Sequence, residues 1–329
     1  MKKCFDVIAL GELLIDYTEY GVSPQGNPLW EANPGGAPCN VLAMLRKLGK
    51  RTSFIGKVGR DVYGRQLEGA LIETGIDTSG LLFDDETHTT LAIVGKKPDG
   101  DRDFVFFRDP GADMALREDE VPLDLIGCAR CFHFGTLSMT HEGVRAATKK
   151  AALFAKEKGL LLSFDPNLRP PLWKSEENMR EQTAWGLGAC DILKISDDEL
   201  FFFTGETDIE KGIGALRARF PNIVLISVTA GAKGSVTSYR DLLVFVPAFL
   251  LRNTVETTGA GDTYCACALS YILDHGLDAL TREDLTRMAT FASAAAALIT
   301  SRKGALRVMP EKAEVEALIL ERRARGAQN

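Results

Sequence analysis

Residues 223–228 read Ile-Val-Leu-Ile-Ser-Val and run directly into the loop Thr229-Ala230-Gly231-Ala232-Lys233-Gly234. A short run that is almost entirely apolar is typical of a strand buried on both faces of a parallel sheet. The same character recurs in residues 4–10, 52–58, 160–164 and 192–195. Helical patterns lie between these runs, and the alternation predicts an α/β fold with a doubly wound, mostly parallel sheet flanked by helices.

Glycines mark the expected ends of the intervening helices. Helices are predicted over 40–48, 67–74 and 144–158, because their apolar periodicity is followed by Gly49, Gly75 and Gly159. The last third of the chain is predicted to be helical over 261–274 and 281–300. The second of these helices is opened by Thr281, with Asp284 three residues later as in a capping box.

One segment pair breaks the alternation. Residues 87–96 and 103–108 alternate polar and apolar side chains around Lys97-Pro98-Asp99-Gly100-Asp101, which predicts a β-hairpin. Such a hairpin can act as a lid over the strand ends, as an oligomer interface, or as both. Because no linker or repeat interrupts the chain, we predict one domain over residues 1–329. Its small β-strand lid comprises inserted segments of about 13–33 and 87–110.

Composition excludes several classes of protein. The 329 residues carry 39 basic and 45 acidic side chains, a net charge of −6, so no basic excess exists to bind nucleic acid or a membrane surface. No apolar run approaches the roughly 20 residues that span a bilayer. The seven cysteines do not suggest a disulfide framework, and the first residues do not resemble a signal peptide. The expected location is cytoplasmic.

The segment with the clearest chemistry is Val255-Glu256-Thr257-Thr258-Gly259-Ala260-Gly261-Asp262-Thr263-Tyr264. Small residues lead into a helix whose first backbone N–H groups are unpaired, and these donors suit an anionic oxygen. Asp262 has two interpretations. It either stabilises the start of the helix or takes a proton from a hydroxyl that attacks phosphorus. A Walker A loop is absent from the sequence.

This segment resembles the T-G-A-G-D element of the ribokinase-like (PfkB) sugar kinases, and within that family the fructokinases. The other family elements appear in the expected order: Gly11-Glu12 with Asp16, then the segments 33–40, 56–61, 107–110, 165–169 and 194–199. Each is a weak pattern alone, but their ordered combination over essentially the whole chain is specific. The resemblance implies an ATP-dependent kinase that phosphorylates the terminal hydroxyl of D-fructose.

The resemblance also implies roles for individual residues. The catalytic base would be Asp262, with an anion hole formed by Gly259, Ala260 and Gly261. Sugar contacts would come from Asp16, Gly35, Gly36 and Asn40. Nucleotide contacts would come from Lys194, Thr229, Gly231, Gly234 and Ser293, the last at a position where the family usually has Asn. Glu199 would hold Mg²⁺ through water, in keeping with an ion that retains waters and needs few carboxylates.

Each assignment has a plainer structural alternative. Asp16 could be a solvated loop residue, Asn40 the cap of a tight turn, and Lys194 a lysine with its ammonium in solvent. Acidic residues such as Glu199 are common at helix starts, and the loop 229–234 could be an ordinary strand-end turn. Glu256 replaces the usual Asp of the family's monovalent-cation site, which disfavours potassium activation.

Two arginines bear on the substrate. Arg108 and Arg169 are predicted substrate-binding cations, and such a guanidinium would suit the carboxylate of 2-keto-3-deoxygluconate, the acceptor of a related kinase. The neighbouring segments and Asp16, which would repel an acid, favour fructose instead. A non-catalytic sugar or nucleotide sensor is an alternative from another class. A Rossmann oxidoreductase is disfavoured because no G-x-G-x-x-G follows the first strand. Relatives often dimerise through lid strands, which implies a homodimer.

Overall fold

The computed structural model describes residues 3–96 and 102–326, so the expected hairpin turn at 97–101 lies outside the described residues. The strands are β1 Phe5–Leu10, β2 Leu14–Val22, β3 Pro28–Gly35, β4 Thr52–Gly59, β5 Asp77–Asp84, β6 Leu91–Lys96, β7 Arg102–Phe107, β8 Ala129–Gly135, β9 Leu161–Asp165, β10 Ile192–Ser196, β11 Leu225–Thr229, β12 Ser235–Tyr239 and β13 Leu242–Val246. The helices are α1 Ala37–Lys47, α2 Val62–Thr74, α3 Leu123–Gly127, α4 Glu142–Glu157, α5 Glu176–Ala189, α6 Asp197–Thr204, α7 Ile209–Arg219, α8 Ala260–His275, α9 Arg282–Ile299 and α10 Lys312–Gly326.

The main sheet has the strand order β13-β12-β11-β10-β9-β8-β1-β4-β5. On one side of β1 lie β4 and then β5. On its other side lie β8, β9, β10 and β11 in that order, and all of these pairings are parallel. Strands β12 and β13 close the far edge in antiparallel fashion. The predicted doubly wound, mostly parallel sheet is therefore confirmed. Such sheets bind ligands at the carboxyl ends of strands near the point where the order reverses, here β1 and β8.

Burial on both faces explains the apolar runs. Along β1, Val7 and Ala9 belong to one core, while Ile8 and Leu10 belong to the other. Helices α1, α2, α8 and α9 contribute to the first core, and α4, α5 and α6 contribute to the second. Among the described helices, none has both the length and the apolar character that crossing a lipid bilayer requires.

The helix ends follow the glycines, but two helices begin earlier than predicted. Helix α2 begins at Val62 rather than at Leu67, after Asp61, whose side chain accepts the N–H of Gly64. Gly49, Gly75 and Gly159 all have positive φ, and Thr281 and Asp284 form the expected capping box. Helix α1 begins at Ala37 rather than at Asn40, because Gly36 (φ 125°) is the cap residue and proline follows in the first turn. Asn40 therefore lies within the helix and does not cap it.

A second sheet, ordered β3-β2-β6-β7, forms the lid. Strands β6 and β7 are antiparallel neighbours, so the predicted hairpin is confirmed, and β2 joins β6 in parallel. Strand β3 continues to Gly35, two residues beyond the predicted lid boundary. The hydroxyls of Tyr17 in β2 and Tyr63 in α2 are 2.5 Å apart, which ties the lid to the main body of the protein.

Candidate active site

Asp262 lies in the first turn of α8 and is buried. Its Oδ2 accepts a 2.8 Å hydrogen bond from Nδ2 of Asn40 in α1. Burial raises the pKa of Asp262, while the hydrogen bond from Asn40 and the charges of Lys194 and Arg169 act in the opposite direction. The carboxylate is therefore engaged by a side chain from another helix rather than by the backbone of its own turn. Asp262 also lies in the first turn of α8, where an acidic side chain stabilises a helix start, so that interpretation is compatible with this position as well.

The expected anion hole is the start of the same helix. Gly259 is the cap residue with a φ of 77°, a conformation that favours glycine, and the helix begins at Ala260. A Cβ atom at Gly261 would lie 2.7 Å from Nζ of Lys194. The ammonium of Lys194 thus occupies the space that a side chain at position 261 would need. The backbone amides of a helix start and a cation meet here, which is an environment for an anion, although the N–H of Ala260 donates to the carbonyl oxygen of Thr257 at 3.3 Å.

Lys194 is itself buried and paired. Its Nζ lies 3.0 Å from Oδ2 of Asp165, at the end of the neighbouring strand β9. Burial alone would lower the pKa of Lys194, but Asp165, Glu199 and Asp262 raise it above its usual value, so the ammonium stays charged. The alternative interpretation, in which the ammonium of Lys194 lies in solvent, is wrong because the side chain is buried.

The predicted sugar-binding residues meet between the lid and this helix. Asp16 of β2 lines a small cavity with Asn33, Thr258 and Gly304. A Cβ atom at Gly35 would collide with the Asp16 carboxylate, and one at Gly36 would collide with the backbone oxygen of Glu12. Both glycines are therefore required by close approach. Nearby, burial raises the pKa of Glu12, whose Oε1 accepts the N–H of Ala37, to about 7.

Asn40 also faces this region with an unused acceptor. Its Nδ2 is engaged by Asp262, whereas its buried Oδ1 has no hydrogen-bond partner among the described residues. A buried acceptor without a partner is costly unless a ligand satisfies it. The expectation that Asn40 contacts a sugar hydroxyl is compatible with this geometry.

Arg108, a predicted substrate-binding residue, is hydrogen-bonded within the protein. The side chain is buried, its Nε donates to Asp113, and its two terminal nitrogens donate to Thr140 Oγ1 and to the carbonyl oxygen of Leu137. The guanidinium also forms a 2.7 Å ion pair with Asp113. Arg108 therefore anchors the end of β7 to the body of the protein, and its donors are used internally rather than turned toward a substrate carboxylate.

Glu199 and Arg169 both contact the backbone of Leu168, which follows β9. One carboxylate oxygen of Glu199 accepts the N–H of Leu168 at 2.6 Å, and the other accepts the N–H of Ser196 at 2.9 Å. Ser196 and Glu199 form a capping box at the start of α6. Arg169 is half-buried and donates to the carbonyl oxygen of Leu168, and its charge acts on Asp262. Glu199 therefore stabilises the start of α6, as its structural alternative predicted. Each of its carboxylate oxygens still has a lone pair that could accept a further contact.

A cavity of about 290 Å³ opens beside the start of α8. It contains four of the predicted nucleotide residues, Thr229, Gly231, Gly234 and Ser293, together with Gly261 of the anion hole. Its wall includes Ala296 and Ala297 of α9, whose small side chains leave room for a flat ring. Lys194, the fifth predicted nucleotide residue, does not line the cavity. Its ammonium lies against Gly261, which does.

Comparison with known proteins identifies the family. A model of the pfkB family carbohydrate kinases matches residues 5–312. This chain belongs to that family. A fructokinase-1 of Zea mays is 40% identical over 315 residues, which cover 95% of this chain and 97% of the relative.

Two solved structures share the fold of this PfkB kinase. A fructokinase from Xylella fastidiosa with bound ATP is 29% identical, with a TM-score of 0.87 over 98% of this chain and 100% of that chain. A fructokinase from Vibrio cholerae O395 with fructose, ADP and calcium ion is 29% identical, with a TM-score of 0.84 over 96% of this chain and 99% of that chain. The family predicted from the sequence is confirmed, and with it a phosphotransferase that acts on a sugar hydroxyl.

The side chains available to bind a metal in this PfkB kinase fit a magnesium ion that is held mainly by the phosphates of its substrate. In residues 3–96 and 102–326, no cluster of three or more His, Cys, Asp or Glu could hold a metal by itself. Mg²⁺ commonly keeps several waters and binds one or two carboxylates together with substrate phosphates. Glu199 offers a carboxylate whose orientation is fixed by two backbone amides.

Sequence reasoning missed two parts of the site. Asp165 belongs to a family segment at the end of an apolar strand, so a signal existed, but nothing in the sequence paired it with Lys194. The loop 248–251 forms a wall of the cavity beside α8 and carries no motif. Arg322 of α10 holds this loop by donating to the carbonyl oxygens of Pro247 and Ala248.

Proposed function

We propose that this chain transfers the γ-phosphoryl group of ATP to the terminal hydroxyl of D-fructose and releases ADP. The observation that carries the proposal is the buried Asp262 carboxylate at the start of α8. It directly follows Gly261, which lines the cavity of about 290 Å³, and it is hydrogen-bonded to Asn40, whose buried Oδ1 is without a partner among the described residues. A general base must lie within reach of both a hydroxyl and a phosphate site, and these two neighbours of the carboxylate are the proposed phosphate and sugar contacts.

The residues divide the chemistry among them. Asn40 orients Asp262 through Oδ2, and Asp262 accepts the proton of the attacking hydroxyl. The hydroxyl oxygen forms a bond to the γ-phosphorus as the bond to the ADP oxygen breaks. Lys194 and the first amide groups of α8 stabilise the charge on the phosphoryl oxygens. When bound, Mg²⁺ would balance phosphate charge, with Glu199 holding it through water.

Two observations favour a neutral ketose over an acidic sugar. Arg108 is committed to Asp113, Thr140 and Leu137, which removes one of the two cations on which recognition of a carboxylate would depend. Asp16 adds a negative charge at the lid side of the site, where two hydroxyls would instead gain hydrogen bonds. The fructokinase names of the relatives support the same substrate.

The remaining contacts follow from the cavity. Thr229, Gly231 and Gly234 would line the phosphates or ribose, and Ser293 would lie beside the base. Asp16, Gly35, Gly36 and Asn40 would hold the sugar. Arg169, whose charge acts on Asp262, would face the phosphate or the sugar. A requirement for potassium is not part of the proposal, because Glu256 stands where the family usually has Asp; its Oε1 accepts the N–H of Gly304.

A homodimer through the lid strands is part of the proposal. Its support is apolar surface on the lid: Val105 and Phe107 of β7 are 50% and 57% exposed, and Tyr20 and Val22 of β2 are each 65% exposed. Light scattering of the purified chain, and of a Phe107→Glu variant expected to be monomeric, would test the dimer.

A cytoplasmic location is also part of the proposal. It is supported by the seven cysteines, all of which are free thiols.

The function is tested by an ADP-release assay across neutral and acidic sugars at equal concentration, with the product identified by phosphorus NMR. We expect fructose to give the highest kcat/KM and fructose 6-phosphate as product. Faster turnover of 2-keto-3-deoxygluconate would overturn the choice of sugar and leave the kinase standing. Sugar and ATP binding without ADP release would identify a sensor.

A further inference from the structure

Two opposite charges lie side by side in the middle of the sheet. Phe164 of β9 and Leu193 of β10 are paired in register, so the next residues, Asp165 and Lys194, are also neighbours. Nζ of Lys194 lies 3.0 Å from one Asp165 oxygen and 3.3 Å from the other. The two side chains are only 9% and 3% exposed. Both charges have therefore been removed from water.

Such a pair is a poor source of stability. Removing two charges from water costs several kcal/mol per ion, and apolar residues of similar volume are often as stabilising or more so. The residues that precede Asp165 and Lys194 point to the opposite face of the sheet. They are Phe164 and Leu193, and both are apolar. The charged pair instead faces α8, because Ile192, which points to the same side as Lys194, belongs to the core shared with that helix. Its place beside the site suggests a functional reason.

The direction of the ammonium supplies that reason. Nζ and Cε of Lys194 lie 2.7 Å and 3.3 Å from the position of a Cβ at Gly261, so the ammonium rests against the first turn of α8. Three carboxylates act on it, and they are Asp165, Glu199 and Asp262. A lysine side chain has four rotatable bonds and a compact charge, so it follows the strongest partner. Without Asp165 it would be drawn toward the remaining acids, including Asp262.

We propose that Asp165 is a positioning residue that holds the ammonium of Lys194 beside Gly261, where the ammonium meets the phosphoryl group in transfer. The proposal rests on the kinase function proposed above. It also explains the second glycine of the segment 259–262, since any side chain at position 261 would displace the ammonium. Asp165 acts through Lys194 and need not touch either substrate.

A double-mutant cycle of the full chain tests this proposal. Asp165→Asn, Lys194→Met and the double variant are compared with the wild type for kcat, for KM of MgATP and of fructose, and for melting temperature. We expect each single variant to lose at least about 10-fold in kcat, with the KM for fructose within about 2-fold of wild type. The double variant should match Lys194→Met within about 2-fold, because Asp165 has no effect without its lysine.

The opposite results are equally defined. If the two losses multiply in the double variant, or if Asp165→Asn keeps wild-type kcat, Asp165 does not act through Lys194. If Asp165→Asn folds poorly, Lys194→Met and the double variant can still be compared. Neither contains the lysine charge, so this comparison shows whether Asp165 has an effect that does not depend on Lys194. Equal kcat in that pair supports the proposal, and a further loss in the double variant overturns it.

A matched control separates stability from positioning. Lys57 is another buried lysine, 4% exposed and paired with Asp84 and Glu120 away from α8. Lys57→Met should lower the melting temperature and leave kcat of the folded protein unchanged. A kcat loss in Lys57→Met as large as in Lys194→Met would mean that any buried pair has this effect, and the proposal would fall. A wild-type protein without fructose-dependent ADP release would refute the proposed function instead.

Discussion

The side-chain amide of Asn40 donates a 2.8 Å hydrogen bond to Oδ2 of Asp262, although 222 residues separate them in the chain. This bond joins α1, which follows the lid strand β3, to α8, which carries the proposed anion hole. It engages one carboxylate oxygen of Asp262, and in the proposed reaction Oδ1 receives the proton. The two helices are therefore held together at the proposed base.

Asp262→Asn should reduce kcat by roughly 10²–10⁴, because an amide cannot accept the proton of the attacking hydroxyl. Steady-state kinetics would measure this loss, with ATP affinity from calorimetry expected to stay close to wild type. Asp274→Asn is the control, since Asp274 is an exposed acid of the same helix that pairs with Lys50. Near-normal turnover in a folded Asp262→Asn protein would exclude Asp262 as the base.

The pH dependence of activity should reflect the same residue. Burial raises the pKa of Asp262, and the base functions only when deprotonated. Activity should therefore fall as the pH drops through this raised pKa. The apparent pKa of the acid limb of kcat/KM should lie above about 3.9, the ordinary pKa of aspartate. A pH profile with stability checked at each point would measure it. An acid limb at or below the ordinary value would contradict this prediction.

Asp16→Ala should lower kcat/KM for fructose by an amount equivalent to about 1–3 kcal/mol, because two hydroxyl contacts are lost. The KM for ATP should change little, which locates the effect on the sugar. Glu19→Ala, an exposed acid of the same strand, serves as the control. Equal losses in both variants would mean that the charge of the lid, rather than contact with the sugar, is responsible.

Arg108→Ala should lower the free energy of unfolding by about 3–5 kcal/mol, because it leaves Asp113 buried without its cation. Urea unfolding followed by circular dichroism would measure the change. Arg117→Ala removes an exposed arginine and should have no measurable effect. An Arg108→Ala protein of wild-type stability that has lost activity only toward acidic sugars would restore the carboxylate-binding role predicted from the sequence.

Arg322→Ala should raise the KM for ATP several-fold without changing kcat or the KM for fructose. Arg322 donates to the backbone of Pro247 and Ala248 and lies 4.3 Å from the centre of the Phe249 ring, and Ala248 and Phe249 line the nucleotide cavity. Without it the cavity wall should become less ordered. The exposed neighbour Arg323 provides the control variant, Arg323→Ala. An unchanged KM for ATP would show that the loop keeps its shape without α10.

Sequence reasoning succeeded where the signal is local. The apolar runs predicted β1, β4, β9, β10 and β11, because strands buried on both faces must be apolar throughout. It did not predict β8, in which Arg130 and His133 interrupt the apolar pattern. The antiparallel edge strands β12 and β13 were also missed. Their position depends on the pairing of β12 with β11 and of β13 with β12, and not on a pattern of their own.

By itself, the sequence determined the fold class, the family and the residue types of the site, because strand character, helix stops and short motifs are encoded within a few neighbouring residues. Only the tertiary structure decided which distant side chains meet. It joined Asn40 to Asp262 and placed Lys194 between Asp165 and Gly261. It also turned Arg108 inward to Asp113. The physical reason is that a buried charge takes the partner that packing brings to it, and packing across the sheet depends on the whole chain.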